Sequence, residues 1–177
     1  MKKVYVINTG GTFSKLYNMI RGTLYVPSCT NFSVETIIHA AFKQNADIIT
    51  IKNIIFKDSL DFTDYDRNFL LMTIAASGCD DIIVVHGTDT MDMSIDYLLK
   101  KNVLLDNNKT IVFTGAMQPF SIDPIEATAN LSMAYGFIQA DPKPDIYISM
   151  NGLIKHHARI FKDKQVGQFL YNNTESN

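Results

Sequence analysis

The feature that most constrains this chain is a repeated unit: an apolar run rich in Val and Ile, then a few Gly, Ser, Thr or Asp residues, then a stretch with helical spacing. The runs occupy residues 4–8, 47–55, 81–86, 110–114 and 145–150. They are continuous rather than alternating, as strands buried on both faces of a parallel sheet are. Helices fit between them. Ser33 caps a helix over 34–44, whose Ile37, Ile38, Ala41 and Phe42 share one face. Thr63 and Asp66 have capping-box spacing, and the helix they open carries Phe69, Leu70, Met72, Thr73 and Ala76 up to Gly78 as its C′ residue. Residues 91–101 form a third helix, and 124–139 a fourth with Pro124 in its first turn. A β-α-β-α-β-α-β-α-β order predicts right-handed crossovers and a three-layer α/β/α sandwich. Its sheet is mainly parallel and doubly wound, Rossmann-like or flavodoxin-like. Residues 13–27 fit neither period and read as a mobile loop or hairpin at the sheet edge, placed as a lid would be.

Composition narrows the function classes. A chain of 177 residues suits one domain, here residues 1–171 with a polar tail, 172–177, expected to fray. With 16 Lys+Arg against 18 Asp+Glu and a net charge of −2, a nucleic-acid partner is not expected. No run approaches the roughly 18–20 apolar residues of a membrane span. The N-terminus has two lysines but only a short apolar stretch before Asn8, unlike a signal peptide. A cytoplasmic protein with no membrane partner is the expectation. Cys29 and Cys79 make neither a disulfide framework nor a metal-ligand spacing.

In an open α/β sheet, ligands bind beyond the carboxyl ends of the strands. The segments there are Thr9-Gly10-Gly11-Thr12, Asp58-Ser59-Leu60-Asp61, His86-Gly87-Thr88-Asp89-Thr90 and Gly115-Ala116-Met117-Gln118-Pro119. Together they aim hydroxyls, carboxylates and bare amides at one crevice. Hydroxyls of Thr12, Thr88 and Ser59 suit a nucleophile and hydrogen-bond donors, while Asp89 suits an ammonium or a base. Helix N-termini after Thr90 and Pro119 favour an anion or oxyanion. A threonine nucleophile needs a proton acceptor, for which Lys, Tyr or His86 could serve. Structural roles compete: Asp89 as a helix cap, Ser59 as a turn former, Asp58 and Asp61 as solvated carboxylates, His86 as a packing ring. Gly-Gly-Thr lacks the spacing of nucleotide-phosphate loops. His156-His157 has no third ligand at a recognisable spacing, so no metal site is expected.

With these segments assembled, the sequence resembles the bacterial-type L-asparaginase family. Thr9–Thr12 looks like its first signature and His86-Gly87-Thr88-Asp89-Thr90-Met91 like its second. Thr114-Gly115-Ala116-Met117-Gln118-Pro119 and Ser59-Leu60-Asp61-Phe62 resemble two further stretches. Met150-Asn151 with Ala158-Arg159 and Lys162 is similar to the segment that delivers the family's lysine. The resemblance implies hydrolysis of a small-molecule amide, asparagine or a related compound, by covalent catalysis without a cofactor; the alternatives are a non-catalytic amino-acid-binding module and a subunit of an amidotransferase-like assembly. Thr12 would be the nucleophile on the mobile N-terminal loop, assisted by Tyr25, with Tyr17 in the same loop. Thr88, Asp89 and Lys162 would form a second catalytic group. Ser59 and the Gly87 amide would hold the substrate α-carboxylate and Asp89 its α-ammonium, with Gly11 and Ala116 also lining the substrate. Three departures stand out. The family's usual chain is about twice as long, so the sequence reads as a short member without the C-terminal domain. Apolar surface left by that domain is expected to be covered in a homodimer or higher homo-oligomer. Leu60 stands where the family carries Gln, and Glu126 falls near a family Asp.

Overall fold

A computed structural model of the chain describes residues 1–28, 33–103 and 108–172. Cys29, and the expected fraying beyond Asn172, lie outside the described residues. The apolar runs form the parallel strands β1 (Val4–Gly10), β4 (Ile49–Lys57), β5 (Asp81–Val85), β6 (Thr110–Thr114) and β7 (Ile146–Met150). Their sheet order is β4-β1-β5-β6-β7, closed by the antiparallel edge strand β8 (Leu153–His156). That is the flavodoxin-like order, in which the winding reverses between β1 and β5. A doubly wound α/β fold is therefore what the sequence makes.

Strand periodicity sorts the core into two layers. Val4 and Val6 of β1, Ile83 and Val85 of β5 and Val112 of β6 face helices α1 (Ser33–Phe42) and α4 (Pro124–Gln139). Their chain neighbours Ile7, Ile82, Val84, Ile111 and Phe113 face α2 (Asp64–Ala76) and α3 (Met91–Lys100). The helix ends follow local chemistry. Thr63 and Asp66 close a reciprocal capping box, and Gly78 follows the cap Ser77 with φ +64°. Asp123 accepts from the Ile125 amide, and Pro124 opens α4.

Several boundaries differ from the expected ones. Helix α1 is described from Ser33 and gives way at Lys43 to a 3-10 stretch, Lys43–Ile48. That stretch takes up Asp47 and Ile48, so β4 begins at Ile49, two residues late. β4 then runs on to Lys57 through a bulge: its pairing with β1 jumps from Asn8↔Asn53 to Gly10↔Lys57. Ile55 and Phe56 both take positive φ there, 71° and 55°. Two bulky residues in that region store strain, held by the flanking pairs. The bulge turns the Lys57 carbonyl toward the end of β1, where it accepts the Gly11 amide at 2.9 Å.

Residues 13–27 are a short 3-10 turn, Thr12–Ser14, followed by a hairpin of β2 (Leu16–Asn18) and β3 (Thr23–Tyr25). Beyond β8 come β9 (Ile160–Asp163) and β10 (Gln168–Tyr171), paired as a second hairpin. Three strands after residue 150 were not expected.

Candidate active site

The winding reversal between β1 and β5 puts their following loops face to face, and glycine makes the fit possible. A Cβ on Gly11 would lie 2.5 Å from both the Cα and the amide nitrogen of Gly87. One on Gly87 would meet Ser59 Oγ at 2.4 Å, and one on Gly115 would meet the His86 carbonyl at 2.5 Å. The ends of β1, β4, β5 and β6 thus interlock backbone against backbone. Gly11 also has φ 69° and ψ −169°, a region open essentially to glycine alone.

Around this knot the structure brings together most of the expected residues. Lys162 Nζ, on β9, donates to Thr88 Oγ1 at 2.8 Å and pairs with Asp89 Oδ1 at 2.7 Å. Thr88 is buried and Asp89 half-buried. Thr90, not Asp89, is the cap residue of α3, so the Asp89 carboxylate is given to the lysine. Ser59 Oγ is buried against Gly87 and makes no hydrogen bond with the described residues. The Ser59 carbonyl accepts from Thr90 Oγ1 at 2.7 Å, which fixes that turn to the start of α3. Thr12 opens the 3-10 turn next to Gly11 and is half-buried, while Ala116 follows Gly115 and is buried. Tyr25 and Tyr17 are both exposed, on the two strands of the β2–β3 hairpin, Tyr25 opposite Leu16 and Tyr17 opposite Leu24.

His86 is a structural residue. Its Nδ1 meets the Gly87 carbonyl and its Nε2 meets Ser94 Oγ, each at 2.8 Å. Phe62 and Phe113 pack against the ring. Burial pushes its pKa down to about 4, so it is neutral near pH 7 and committed at both nitrogens. Leu60, which replaces the expected Gln, is 67% exposed.

Two residues missed as site members emerge. Asp58, expected to be solvated, caps the Ser59–Asp61 turn through the Leu60 amide and pairs with Lys15 at 2.5 Å. Burial alone would raise its pKa; the Lys15 and Leu60 hydrogen bonds and the Lys162 charge outweigh burial and lower it. Glu126 accepts the amides of Met117 and Gln118 at 2.9 and 3.1 Å and the Asn151 side chain at 3.0 Å, setting the loop after β6. An open groove of about 480 Å³ lies beside it, lined by Met117, Gln118, Glu126, Asn151 and Gln168 among others. No sequence spacing announces the Lys15–Asp58 pair, because its members are 43 positions apart and meet only through the order of the strands.

Fold and site together define a class: a flavodoxin-like α/β domain that sets a buried threonine hydroxyl, that of Thr88, against a lysine–aspartate pair beside its winding reversal. The family model for the asparaginase N-terminal domain matches residues 3–167, and the chain belongs to that family. Compared with curated proteins, its sequence has no match. Solved structures similar in fold include the thermostable L-asparaginase from Thermococcus kodakarensis, with TM-score 0.76 and 22% identity over 97% of this chain and 52% of that one. A probable cytoplasmic L-asparaginase from Campylobacter jejuni has TM-score 0.76 and 23% identity over 98% of this chain and 54% of that one. L-asparaginase I from Vibrio cholerae O1 biovar eltor has TM-score 0.73 and 22% identity over 98% of this chain and 52% of that one. The chain thus spans about half the length of these asparaginases. Among the described residues, no helix is long and apolar enough to cross a membrane.

Proposed function

We propose that this chain hydrolyses the side-chain amide of L-asparagine to L-aspartate and ammonia through a threonine nucleophile. The observation that carries the reading is the pair of short contacts from Lys162 Nζ to Thr88 Oγ1 and Asp89 Oδ1, placed beside the Gly11–Gly87 knot. A lysine held between a hydroxyl and a carboxylate suits proton exchange with that hydroxyl. In the proposed reaction Thr12 Oγ1 bonds to the amide carbon and loses its hydroxyl proton, the C–N bond breaks, and that proton passes to the leaving nitrogen, which departs as ammonia. Water, activated at Thr88 with Lys162 as base, then cleaves the threonine ester. Asp89 holds Lys162 through Oδ1 and offers Oδ2 to the substrate α-ammonium. The Ser59 hydroxyl, buried and without a partner among the described residues, is the donor for the α-carboxylate. Tyr25, brought in by the hairpin, would assist Thr12.

An exposed Leu60 supplies no polar contact. One lost hydrogen bond to a charged group is worth roughly 1.5–3 kcal/mol, so binding is expected near the millimolar end. Glutamine should be the poorer substrate, because an extra methylene carries its carboxamide past Thr12. The cytoplasm, the compartment in the description of the Campylobacter jejuni neighbour, is proposed here too, with self-association into a dimer or larger homo-oligomer. The test is ammonia release from asparagine, glutamine and an N-acylated asparagine by wild type and Thr12→Ala. Turnover of asparagine that Thr12→Ala abolishes supports the reading; equal activity in both proteins, or none in wild type, removes it.

A further inference from the structure

Two histidines and an aspartate meet at the end of the sheet opposite the crevice. Asp145 immediately precedes β7, whose carboxyl end points to the crevice side. Strand β8 runs back antiparallel, so its last residue, His156, pairs with Tyr147 near the start of β7. His157 opens the turn His157–Arg159 that leads into β9. Side chains of successive residues in extended backbone point to opposite faces. This turn instead brings the two imidazoles together, 4.3 Å between centroids. One ligand atom from each of Asp145, His156 and His157 lies within 4.8 Å of the other two.

We propose that Asp145, His156 and His157 form a binding site for a divalent transition-metal cation of the Zn²⁺ type. Two imidazoles and one carboxylate are a donor set that zinc accepts, with a fourth position left for water. Bonds of about 2.0–2.1 Å in a tetrahedron place ligand atoms about 3.3 Å apart. His156 Nε2 and Asp145 Oδ2 already stand 3.2 Å apart. The His157 ligand atom stands within 4.8 Å of both, so metal binding would draw it in to that spacing.

The aspartate is pre-set for this role. Its Oδ1 accepts the Ile146 amide at 2.8 Å, which turns Oδ2 toward His156, and its carbonyl is tied to β6 by the Ile111 amide at 2.9 Å. Around the cluster, the Tyr147 ring stands edge-on to His156, and Asp96 of α3 adds a negative field at His157. In the metal-free site His156 Nδ1 accepts the Ala158 amide at 3.3 Å, which leaves the ring proton on Nε2 facing Asp145. Metal at Nε2 moves that proton to Nδ1 and gives up the Ala158 bond, a long and weak one.

The proposal is independent of amide hydrolysis, because none of the three residues belongs to the crevice. The test titrates untagged protein with Co²⁺, read by visible d–d absorption, and with Zn²⁺, read by calorimetry. Binding of about one equivalent is expected, together with a higher unfolding midpoint in Zn²⁺. His157→Gln and Asp145→Asn should each weaken binding at least 10-fold, since even residues behind the ligands cost about that much. The asparagine variant keeps the Oδ1 contact to Ile146, so it separates ligation from folding. His39→Gln, on the exposed face of α1, should change nothing. The site is refuted by absence of binding, by an unchanged midpoint in Zn²⁺, by affinity that survives both ligand substitutions, or by loss of affinity in His39→Gln.

Discussion

The residues named in the proposed reaction divide between two regions built on different principles. Thr88, Ser59, Gly87 and Ala116 are buried at the winding reversal of a six-stranded sheet, where strand ends meet backbone to backbone. Tyr25 rides on a two-stranded hairpin, 44% exposed, with Met19 and Ile20 at its tip 89% and 97% exposed. Burial and close backbone approach hold the first region; the second has little packing and belongs to the low-stability end of the molecule. Where the regions join matters most. Phe13 is fully buried, its carbonyl takes the Phe120 amide at 3.2 Å, and the Lys15 carbonyl takes Ser121 Oγ at 2.9 Å. The Lys15–Asp58 pair adds a further tie. Thr12 therefore belongs with the fixed crevice, and the adjustable arm starts at Leu16. The two regions divide the proposed labour: the nucleophile is held still, and its tyrosine is brought to it.

The sharpest way to break this division is to disable the fixed side alone. Lys162→Met keeps most of the stem's packing and should lower the asparagine rate by about 10²–10⁴, with the unfolding midpoint little changed. Tyr25→Phe should cost less than that in the same ammonia-release assay; a larger cost would place the decisive chemistry on the arm.

Next in size comes Gly11→Ala. It combines a Cβ 2.5 Å from the Gly87 backbone with a glycine-only backbone region. Overpacking and strain should together remove roughly 3 kcal/mol or more, read from urea unfolding. Gly22, on the arm, tests the contrast: its added Cβ would find nothing nearer than the Tyr17 hydroxyl at 3.8 Å, so only the cost of φ +64°, roughly 1 kcal/mol, is expected.

His86 gives the fixed region a pH signature of comparable size. Its folded pKa of about 4 lies below its ordinary 6.5, so between those values the unfolded chain binds more protons and stability rises with pH. Its contribution is complete above pH 6.5 and lost on acidification toward pH 4, up to roughly 3 kcal/mol. Unfolding curves across that range should show the slope in wild type and a flatter one in His86→Gln. Asp58 works in the opposite sense of charge, with its folded pKa depressed. Its stabilisation is present above its ordinary 3.8 and lost as pH falls through the depressed value. Lys15→Met should cost on the order of 1 kcal/mol at pH 7, a difference that vanishes in strong acid.

What the sequence disclosed follows the same division. Continuous Val/Ile runs announced β1, β5, β6 and β7, because strands covered on both faces have no polar side to blur the signal. Strand β4 began two residues late, since it is an edge strand carrying Lys52 and Asn53 in mid-run. β8, β9 and β10 are four residues each, mostly half-exposed and mixed in polarity, so periodicity could not find them. Yet Asn151-Gly152, with φ 49° and 83°, is the strongest hairpin dipeptide, and it marked the β7–β8 turn in plain view. In the crevice, Thr88, Asp89 and Lys162 were found from segments resembling the family's. Lys15–Asp58 and the Asp145 partner of the histidines were not, because such pairs arise only when distant strands come together.

The smallest effect is expected where the arm is most exposed. Met19 and Ile20 touch so little that replacing both with Ser should shift stability by less than about 0.5 kcal/mol in dilute solution. Their apolar surface has a different consequence if a second copy covers it, as proposed self-association would have it. Removing two large apolar side chains from a dimer contact then weakens association by roughly 25 cal/mol for each Å² no longer buried, while the isolated monomer is unchanged. Sedimentation at several concentrations separates the cases: a lower association constant with an unaltered unfolding curve puts the arm in the interface. Unaltered association leaves the arm with its proposed part in the reaction alone. A clear loss of monomer stability would break the comparison itself, since it would mean that the arm is packed as tightly as the crevice it serves.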